Sequence, residues 1–375
     1  MFSIDLRSDT LTRPSPGMLK AMATAEVGDD AYGEDRYVIE LQEFCADYFG
    51  KAAALFMPSG TMANQVALRS LTQPGDEVIC DASYHINFFE SAQSADLGRV
   101  TLNPIYTADG ILTLDNLANA VHSKARWNDT YASPTLVWVE NTVSTHAGKI
   151  FPLVTLEALS DWCQEAAMSL FIDGARILNA CVGANIQPAK YASAADALTM
   201  CFSKGLGAPF GSILMGGKDF IARARRYRKW FGGGLHQSGF MAAAALYAIK
   251  NNVEQLMEDH KNAALLAGIL RQEPRFSVKE GETNMIVFDV GALNMTASEF
   301  VQQAAAENVL LMEWRANEVR AVTSSNVNRE LIVQAGHRLV NLAKRLAVGS
   351  TRMLENQTKV ALLTQAGELN ELRTG

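Results

Sequence analysis

The chain has 375 residues, of which 48% are apolar and 19% charged, and its formal net charge is −7. This length exceeds what one hydrophobic core usually supports, so we expect one large and one smaller domain. The negative charge and the lack of an extended basic tract argue against nucleic acid as a partner. The one basic cluster, residues 223–229, is interpreted as a solvated helix face or a subunit contact.

The cysteines and the N-terminal segment indicate in which cellular compartment the protein is expected. The five cysteines are scattered, and their spacing does not suit zinc, so no metal site is expected. They are typical of free thiols in a reducing environment. The N-terminal segment carries charges where a signal peptide would be apolar, and no apolar run reaches membrane-spanning length. We therefore expect a cytoplasmic protein without a membrane partner.

From about residue 35, helical periodicity alternates with short apolar runs, which is typical of βα units around a mostly parallel sheet. In chain order, the pattern predicts a helix over 38–48, a strand over 53–57, a turn over 58–60 and a helix over 61–69. Further strands are predicted over 77–80, 135–140, 169–173, 197–202 and 212–215. The predicted fold class is α/β, with a large, mostly parallel sheet domain.

The composition shifts near residue 251, and the second part of the chain predicts a smaller α+β domain. A helical pattern runs to about Arg271, and Pro274 breaks it. Strands are then predicted over 284–290, 309–312 and 320–323, and helices over 297–306 and 330–346. We expect a large domain over 1–250, which includes an N-terminal arm, and a small domain over 251–348. The tail over 349–375 is assigned no role.

Two residues at the ends of predicted strands carry the chemistry. Asp173 ends one strand, and Ser203 and Lys204 follow the next strand, ahead of a glycine-rich turn. A lysine held close to the core loses proton affinity and becomes a usable nucleophile. The arrangement suits an enzyme that holds pyridoxal 5′-phosphate (PLP) as a Schiff base on Lys204. Asp173 would then keep the pyridine nitrogen of the cofactor protonated.

Other residues each admit a functional and an ordinary interpretation. Ser59-Gly60-Thr61 lies where a strand leads into a helix, so it suits either a phosphate site or a simple N-cap. Arg176 shares a loop with Asp173, and a structural Asp–Arg pair is the alternative there. His85 suits ring stacking, a catalytic base or a turn cap. Arg320 suits either a bidentate carboxylate contact or an exposed surface position.

Five segments together closely resemble the L-threonine aldolases, which are PLP enzymes of the aspartate aminotransferase fold (fold type I). They are Asp5-Leu6-Arg7-Ser8-Asp9-Thr10, residues 27–35, Pro58-Ser59-Gly60-Thr61-Met62-Ala63-Asn64, Asp173-Gly174-Ala175-Arg176 and residues 203–209. The resemblance is dense from residue 5 to about residue 245 and thinner to about residue 345. Several long matches in the same order make chance a poor explanation.

The resemblance implies roles for particular residues. Lys204 would carry PLP beside Ser203, Asp173 would pair with the pyridine nitrogen, and His85 would stack on the ring. Gly60 and Thr61 would hold the phosphate.

The resemblance also implies a carboxylate site and a subunit contact. Ser8, Arg176 and Arg320 would bind the carboxylate of an amino acid substrate, with Arg176 close to the cofactor as well. Lys229 would reach the cofactor from a neighbouring subunit. A homodimer is then the minimal active unit, and a homotetramer is usual in the family.

The chain departs from the family pattern at three places. Val143 replaces a histidine that lies near the β-hydroxyl of the substrate, and His146 is a candidate substitute. His236 replaces an arginine that lies near the phosphate in the family, so the resemblance also makes it a candidate cofactor-binding residue. Glu90-Ser91-Ala92-Gln93 stands where the family usually has Glu-Ala-Gly-Gly. These changes affect the predicted identity of the substrate side chain more than the predicted use of PLP.

The sequence therefore predicts a lyase that cleaves an L-β-hydroxy-α-amino acid to glycine and an aldehyde. His85, His146 or a water would take the β-hydroxyl proton. A side chain larger than that of threonine is compatible with the departures. The alternatives are a PLP enzyme that carries out transaldolation or β-elimination, and a catalytically idle scaffold.

Overall fold

The computed structural model describes residues 3–124, 130–279 and 281–347. The strands are β1 (Ile4–Asp5), β2 (Ala53–Met57), β3 (Glu77–Asp81), β4 (Thr101–Ile105), β5 (Pro134–Glu140), β6 (Ser169–Asp173), β7 (Ala197–Cys201), β8 (Ser212–Gly216), β9 (Ser277–Val278), β10 (Met285–Asp289), β11 (Val309–Leu310), β12 (Met312–Glu313) and β13 (Glu318–Val322). The tail over 349–375 lies outside the described residues.

The helices alternate with the strands through most of the chain. They are α1 (Pro16–Ala23), α2 (Arg36–Phe49), α3 (Gly60–Leu71), α4 (His85–Phe88), α5 (Ser91–Gln93), α6 (Leu114–His122), α7 (Leu153–Glu165), α8 (Ile177–Ala184), α9 (Pro188–Ser193), α10 (Lys218–Trp230), α11 (Gly239–Asn251), α12 (Leu256–Leu270), α13 (Ala297–Ala306) and α14 (329–347).

A seven-stranded sheet forms the centre of the larger part, in the order β2-β8-β7-β6-β5-β3-β4. The strands β7, β6, β5, β3 and β4 pair in parallel, and β8 runs antiparallel to both of its neighbours. The prediction of a large, mostly parallel sheet is therefore confirmed. The carboxyl ends of β2, β3, β5, β6 and β7 consequently lie at one edge of the sheet.

The helix boundaries next to β2 follow from local chemistry. Gly50 ends α2 in the left-handed region at φ +65°, and its N–H donates to the carbonyls of Ala46 and Asp47. Ser59 caps α3, and its hydroxyl accepts from the backbone N–H of Met62 at 3.2 Å. Both boundaries lie within one residue of the sequence-based prediction.

The strands differ from the prediction in several places, and the two-residue strands β1 and β9 were not predicted. Strand β4 was not predicted, because it lies at the edge of the sheet, contains Pro104 and lacks a continuous buried face. The single strand predicted over 309–312 is two strands in the structure. Of these, β11 pairs with β1, whereas β12 pairs with β13. Tertiary pairing decides this division, and local sequence does not encode it.

The basic cluster on α10 is not wholly solvated, which corrects the prediction for Arg228. Its guanidinium is buried, and it donates to the Asp30 carboxylate at 2.5 Å and to the Phe56 carbonyl at 2.8 Å. This ion pair fastens α10 to the segment before α2. A buried arginine needs such a partner, because an unpaired buried charge is costly.

Two hydrophobic clusters fill the described chain. The first extends from Met18 to Leu256 and surrounds the large sheet. The second contains Ile4, Leu6 and apolar residues between Ala263 and Ala343. The N-terminal strand β1 thus packs with the later part of the chain. The division into domains near residue 250 stays a prediction.

All five cysteines are buried and unpaired, as the sequence predicted. Among the residues that the structure describes, no helix combines the length and the apolar character needed to cross a membrane.

Candidate active site

A cleft of about 260 Å³ opens at the carboxyl edge of the large sheet. Parallel strands end at this edge, which is where open α/β sheets bind ligands. The cleft brings together seven residues that were predicted from the sequence: Ser59, Gly60, Thr61, His85, Asp173, Ser203 and Lys204. A larger pocket of about 560 Å³ lies around the N-terminal segment, and neither Lys204 nor Asp173 lines it. We therefore place the chemistry in the smaller cleft.

Lys204 follows β7 on a backbone that is held in place. Its carbonyl accepts from the Thr12 hydroxyl and from the Gly207 N–H, each at 2.8 Å. Gly207 adopts φ +79°, which favours glycine in the turn that follows the lysine. Within the described part of the chain, the half-buried Lys204 side chain makes no hydrogen bond or ion pair. Its amine is therefore free to react with a ligand in the cleft.

Asp173 is buried at the end of β6, and its carboxylate is oriented by two donors. One oxygen accepts from the Asn64 side-chain amide at 2.9 Å, and the other accepts from the Ala175 N–H at 3.1 Å. Among the described residues, no cationic side chain is hydrogen-bonded to this carboxylate. A positively charged ligand group in the cleft would supply that partner.

The N-terminus of α3 forms another wall of the cleft. Helix N-termini present unpaired N–H groups and partial positive charge, and both favour a phosphate. A β-carbon placed on Gly60 would lie 2.9 Å from the sulfur of Cys201, so a larger residue there would have to displace the Cys201 side chain. Asn64 is four residues further on, so it faces the same side of the helix and reaches Asp173.

His85 stands beside a buried carboxylate that the sequence did not assign to the site. Its Nδ1 lies 2.8 Å from a carboxylate oxygen of Glu90, and the two groups form an ion pair when the imidazole is protonated. Burial lowers the pKa of His85, but the charges of Glu90, Asp173 and Glu140 outweigh this and raise it above its ordinary value. Since Nδ1 faces Glu90, Nε2 remains to face a ligand.

Glu90 connects His85 to Asp173 through one intervening side chain. Asn64 donates to both carboxylates, at 3.2 Å to Glu90 and 2.9 Å to Asp173. Gln65 donates to the second oxygen of Glu90 at 2.8 Å. The histidine at one side of the cleft and the aspartate at its base are thus held by a common network.

Glu140, at the end of β5, positions two neighbouring loops. Its carboxylate accepts from the His85 N–H at 2.7 Å and from the N–H and hydroxyl of Ser144, both at 2.8 Å. Burial and the nearby Asp173 raise the pKa of Glu140. These contacts fix the start of α4 relative to the strand that ends beside Asp173.

Arg176 does not pair with Asp173, which excludes the structural Asp–Arg pair considered from the sequence. It donates two hydrogen bonds to Asp9, at 2.6 and 2.7 Å, and contacts the Ser144 hydroxyl at 3.3 Å. Asn284 donates to the same aspartate at 3.1 Å. Asp9 is fully buried, so the pair ties the N-terminal segment to the loop after β6.

Asp9→Asn is expected to lower the free energy of unfolding by about 3 to 5 kcal/mol, because Arg176 keeps a buried charge without a counter-charge. Burial would raise the pKa of Asp9, but Arg176 outweighs it and lowers the pKa to about 2. The stabilisation is therefore complete above about pH 4 and is lost as the pH falls through about 2.

Urea unfolding of Asp9→Asn and of the exposed control Asp47→Asn measures this difference. Equal stability of the two variants would contradict the structural importance of the Asp9–Arg176 pair.

Arg320 is buried near Arg176, although the sequence left a surface position open. One guanidinium nitrogen donates to the Arg7 carbonyl at 3.2 Å, and the group lies 4.3 Å from the centre of the Trp314 ring. Burial and the charge of Arg176 lower the pKa of Arg320 to about 10. Its Nε has no hydrogen-bond partner among the described residues, so it retains capacity for an anionic ligand.

Besides Arg176 and Arg320, four further predicted site residues do not line the cleft. Ser8 caps the short helix Asp9–Leu11 and lines the N-terminal pocket. His146 packs against Gly110, and burial lowers its pKa. Lys229 lines a separate pocket, and its amine contacts the Gly234 carbonyl at 3.5 Å. His236 is exposed and pairs with Asp29 at 2.7 Å.

Comparison with known proteins identifies the family. A family model described as beta-eliminating lyase matches residues 5–292. The low specificity L-threonine aldolase of Escherichia coli strain K12 is 44% identical over 345 residues, which cover 91% of this chain and 100% of that protein. Low-specificity L-threonine aldolase 1 of Arabidopsis thaliana is 37% identical over 341 residues. The alignment covers 88% of this chain and 95% of that protein.

The chain belongs to the threonine aldolases of the beta-eliminating lyase family. Membership confirms the resemblance seen in the sequence and the prediction that this family member is a lyase. Leishmania major threonine aldolase superposes with a TM-score of 0.78 at 20% identity, over 92% of this chain and 99% of that one. A putative L-allo-threonine aldolase from Listeria monocytogenes superposes with a TM-score of 0.71 at 22% identity, over 90% of this chain and 94% of that chain. These structures share the fold, as predicted.

Sequence reasoning did not assign a role to several residues of this threonine aldolase site: Asp9, Asn64, Glu90, Glu140 and Ser144. Asn64 carried a usable signal, because it lies one helical turn after Gly60 and so shares its face. Asp9, Glu90, Glu140 and Ser144 each make at least one contact across a long sequence separation, from 26 residues between Asn64 and Glu90 to 167 between Asp9 and Arg176. No local pattern reports such contacts.

Proposed function

We propose that the protein cleaves L-threonine and related L-β-hydroxy-α-amino acids to glycine and an aldehyde, with PLP held on Lys204. The observation that carries the proposal is the shared cleft. Lys204 and Asp173 come from neighbouring parallel strands and line it together with the N-terminus of α3. The names of the curated relatives that match most of the chain support the same activity.

The residues of the cleft fit PLP on chemical grounds. Lys204 offers an unpaired amine for an aldehyde, and buried Asp173 offers a carboxylate for a protonated ring nitrogen. Gly60 and Thr61 begin a helix whose N–H groups suit a phosphate. When bound, PLP withdraws electrons from the α-carbon of an amino acid, which makes the bond to the β-carbon easier to break.

Residues of this chain would then bind the substrate and move its protons. We assign the carboxylate to Arg320, whose Nε is unpaired, with Arg176 nearby as a second cation. His85 is the stronger candidate for the base that accepts the β-hydroxyl proton, because it lines the cleft whereas His146 does not. Its Nε2 would hold that proton while the carbon–carbon bond breaks, and the α-carbon would take up a proton to leave glycine.

The direct test is incubation of the PLP-loaded protein with L-threonine, followed by assay of glycine and acetaldehyde in equal amounts. Release of both supports the proposal. Failure to cleave threonine or any bulkier β-hydroxy amino acid would instead favour another PLP reaction. Transaldolation and β-elimination are less well supported, because the matched relatives carry aldolase names.

Glu90→Gln is expected to move the acidic limb of the kcat/KM profile for threonine to lower pH. The negative charge of Glu90 raises the pKa of His85, and a base acts only when it is unprotonated. Loss of that charge lowers the pKa, so more His85 is unprotonated at a given acidic pH.

The profile is measured between about pH 5 and 9, with the exposed Glu157→Gln as control. An acidic limb that stays in place in Glu90→Gln would exclude His85 as the titrating base.

We further propose that the enzyme works in the cytoplasm as a homodimer or homotetramer. The five unpaired thiols support a reducing compartment. Lys229 and His236 lie outside the cleft of their own chain, which accords with a role at the site of a neighbouring subunit. An amino acid is then the one small-molecule partner of the site, with no nucleic acid or membrane partner expected.

A further inference from the structure

Ser144 places a hydroxyl in the cleft, on the loop that follows β5. Within residues 141–146 of this loop, it is the one side chain that lines the cleft. Val143 and His146 pack against Gly110 instead. A polar contact between this loop and a bound ligand is therefore expected from Ser144.

The Ser144 hydroxyl retains capacity for one more hydrogen bond. It donates to Oε1 of Glu140 at 2.8 Å and accepts from Nη1 of Arg176 at 3.3 Å. A serine oxygen has two acceptor lone pairs, so within the described part of the chain one of them stays open. The β-hydroxyl of a bound amino acid is a donor that suits this position.

Glu140 is a proton acceptor behind that hydroxyl. Its carboxylate is buried and also lines the cleft. Oε1 accepts from the backbone N–H of Ser144 at 2.8 Å as well, which holds the serine against the carboxylate. Burial and the charge of Asp173 raise the pKa of Glu140, so it accepts a proton more readily than an exposed glutamate does. The Ser144 hydroxyl thus connects the cleft to a proton acceptor.

His85 and Ser144 flank Glu140 on opposite sides. Strand β5, which ends in Glu140, lies between β3 and β6 in the sheet. His85 follows β3, and its backbone N–H donates to Glu140 at 2.7 Å. Ser144 is hydrogen-bonded to Arg176, which follows β6. The cleft therefore offers the proton of a substrate hydroxyl two acceptors in different directions.

We infer that Ser144 accepts the β-hydroxyl proton of L-allo-threonine and passes its own proton to Glu140, whereas His85 accepts the proton of L-threonine. The inference rests on the proposed function. The two substrates differ only in configuration at the β-carbon. With the amine, the carboxylate and the methyl group held in the same places, inversion exchanges the directions of the hydroxyl and the hydrogen. A hydroxyl that no longer reaches His85 then needs a second acceptor, and Ser144 provides it.

The step balances along contacts that the structure already holds. The substrate O–H bond breaks as Ser144 Oγ takes its proton, and the original Oγ proton moves to Oε1 of Glu140 along their hydrogen bond. The electron pair of the O–H bond forms the second C–O bond of acetaldehyde. The pair of the broken Cα–Cβ bond stays on the α-carbon, next to the electron-withdrawing cofactor. The α-carbon then takes up a proton to leave glycine, and Glu140 returns its proton through Ser144 to water.

Cleavage of the two epimers by the PLP-loaded enzyme tests the inference. We compare kcat/KM for L-allo-threonine with kcat/KM for L-threonine. Ser144→Ala should lower this ratio by at least about tenfold, because it removes a positioned proton-transfer group from one of the two routes. Ser144→Thr keeps a hydroxyl at this position and should restore the ratio. Ser193→Ala, an exposed substitution on α9, should keep the parent ratio.

Binding of L-alanine separates proton transfer from substrate positioning. L-alanine has the amine and the carboxylate but no hydroxyl, so its dissociation constant, followed by the absorbance of the bound cofactor, reports binding alone. The constant should be the same in the parent and in Ser144→Ala. Weaker L-alanine binding, with equal loss of activity on both epimers, would mean that Ser144 acts by orienting Arg176, and it would overturn the inference.

The other outcomes distinguish the inference from the proposed function. An epimer ratio that is unchanged or higher in Ser144→Ala overturns the inference and leaves the proposed function intact. So does a parent enzyme that cleaves L-threonine but not L-allo-threonine, and so does an equal loss in Ser144→Thr and Ser144→Ala. Cleavage of neither epimer, nor of any bulkier β-hydroxy amino acid, by the PLP-loaded parent overturns the proposed function and, with it, the inference.

Discussion

Lys204→Ala is expected to reduce threonine cleavage by at least about a thousandfold, because under the proposed function the variant would lose the amine that holds the cofactor. The fold should persist. The Lys204 side chain makes no ion pair or hydrogen bond within the described residues, and its carbonyl contact to Thr12 belongs to the backbone. The loss of activity should therefore come from the missing amine and not from unfolding.

Two measurements check the Lys204 prediction. Acetaldehyde release gives the rate, and the absorbance of protein-bound cofactor near the visible edge should vanish in Lys204→Ala. Lys190→Ala removes an exposed lysine on α9 and should leave both readouts at the parent level. Threonine cleavage by Lys204→Ala at a rate near that of the parent would refute the assignment of this residue.

Asp173→Asn is expected to lower kcat by about 10²- to 10³-fold, which is typical when one oriented electrostatic group is removed from a catalytic site. The substitution keeps the size and the acceptor oxygen that the Ala175 N–H requires, but removes the negative charge. Under the proposed function, the protein without that charge would no longer hold a proton on the ring nitrogen of the cofactor. The electron withdrawal on which cleavage depends is then weakened.

Single-turnover rates of glycine formation at saturating PLP separate this effect on chemistry from weaker cofactor binding. Asp161→Asn, an exposed substitution on α7, is the matched control. If Asp173→Asn lost activity only at low PLP concentrations and recovered it at high ones, Asp173 would serve binding and not electron withdrawal.

The arrangement around Asp173 also indicates how the site tolerates three neighbouring carboxyl groups. Asp173, Glu90 and Glu140 are all buried, and like charges in a dry site repel. Amide groups of Asn64 and Gln65 and backbone N–H groups donate to these carboxylates. For Glu140, burial and the negative charge of Asp173 outweigh these donors, so its pKa is raised. A cationic ligand in the cleft would complete the charge balance.

Much of the large sheet was predictable because its strands are short, apolar and buried on both faces. Strands β2 and β6 have the predicted boundaries, and β5 differs by one residue. The edge strand β4 was not predictable, since none of its residues is fully buried and they lack a continuous apolar run.

The candidate site was predictable where chemistry lies at strand ends. Lys204, Asp173 and the start of α3 meet because the carboxyl ends of parallel strands lie at one edge of a sheet. This rule applies to any sheet that is predicted to be parallel. The partner of Arg176 was not predictable. Asp173 is three residues away and Asp9 is 167 residues away, yet the buried guanidinium pairs with the distant carboxylate.

By itself, the sequence determined the α/β class, the strands that end in Asp173 and before Lys204, and the membership in the threonine aldolases. These features depend on local apolar periodicity and on short motifs, which are read along the chain. Only the tertiary structure decided that Asp9 neutralises Arg176, that Asn64 donates to Asp173 and that Glu140 holds the N–H of His85. Such contacts join segments far apart in the chain, so their partners are chosen by packing and by the need to satisfy buried charges.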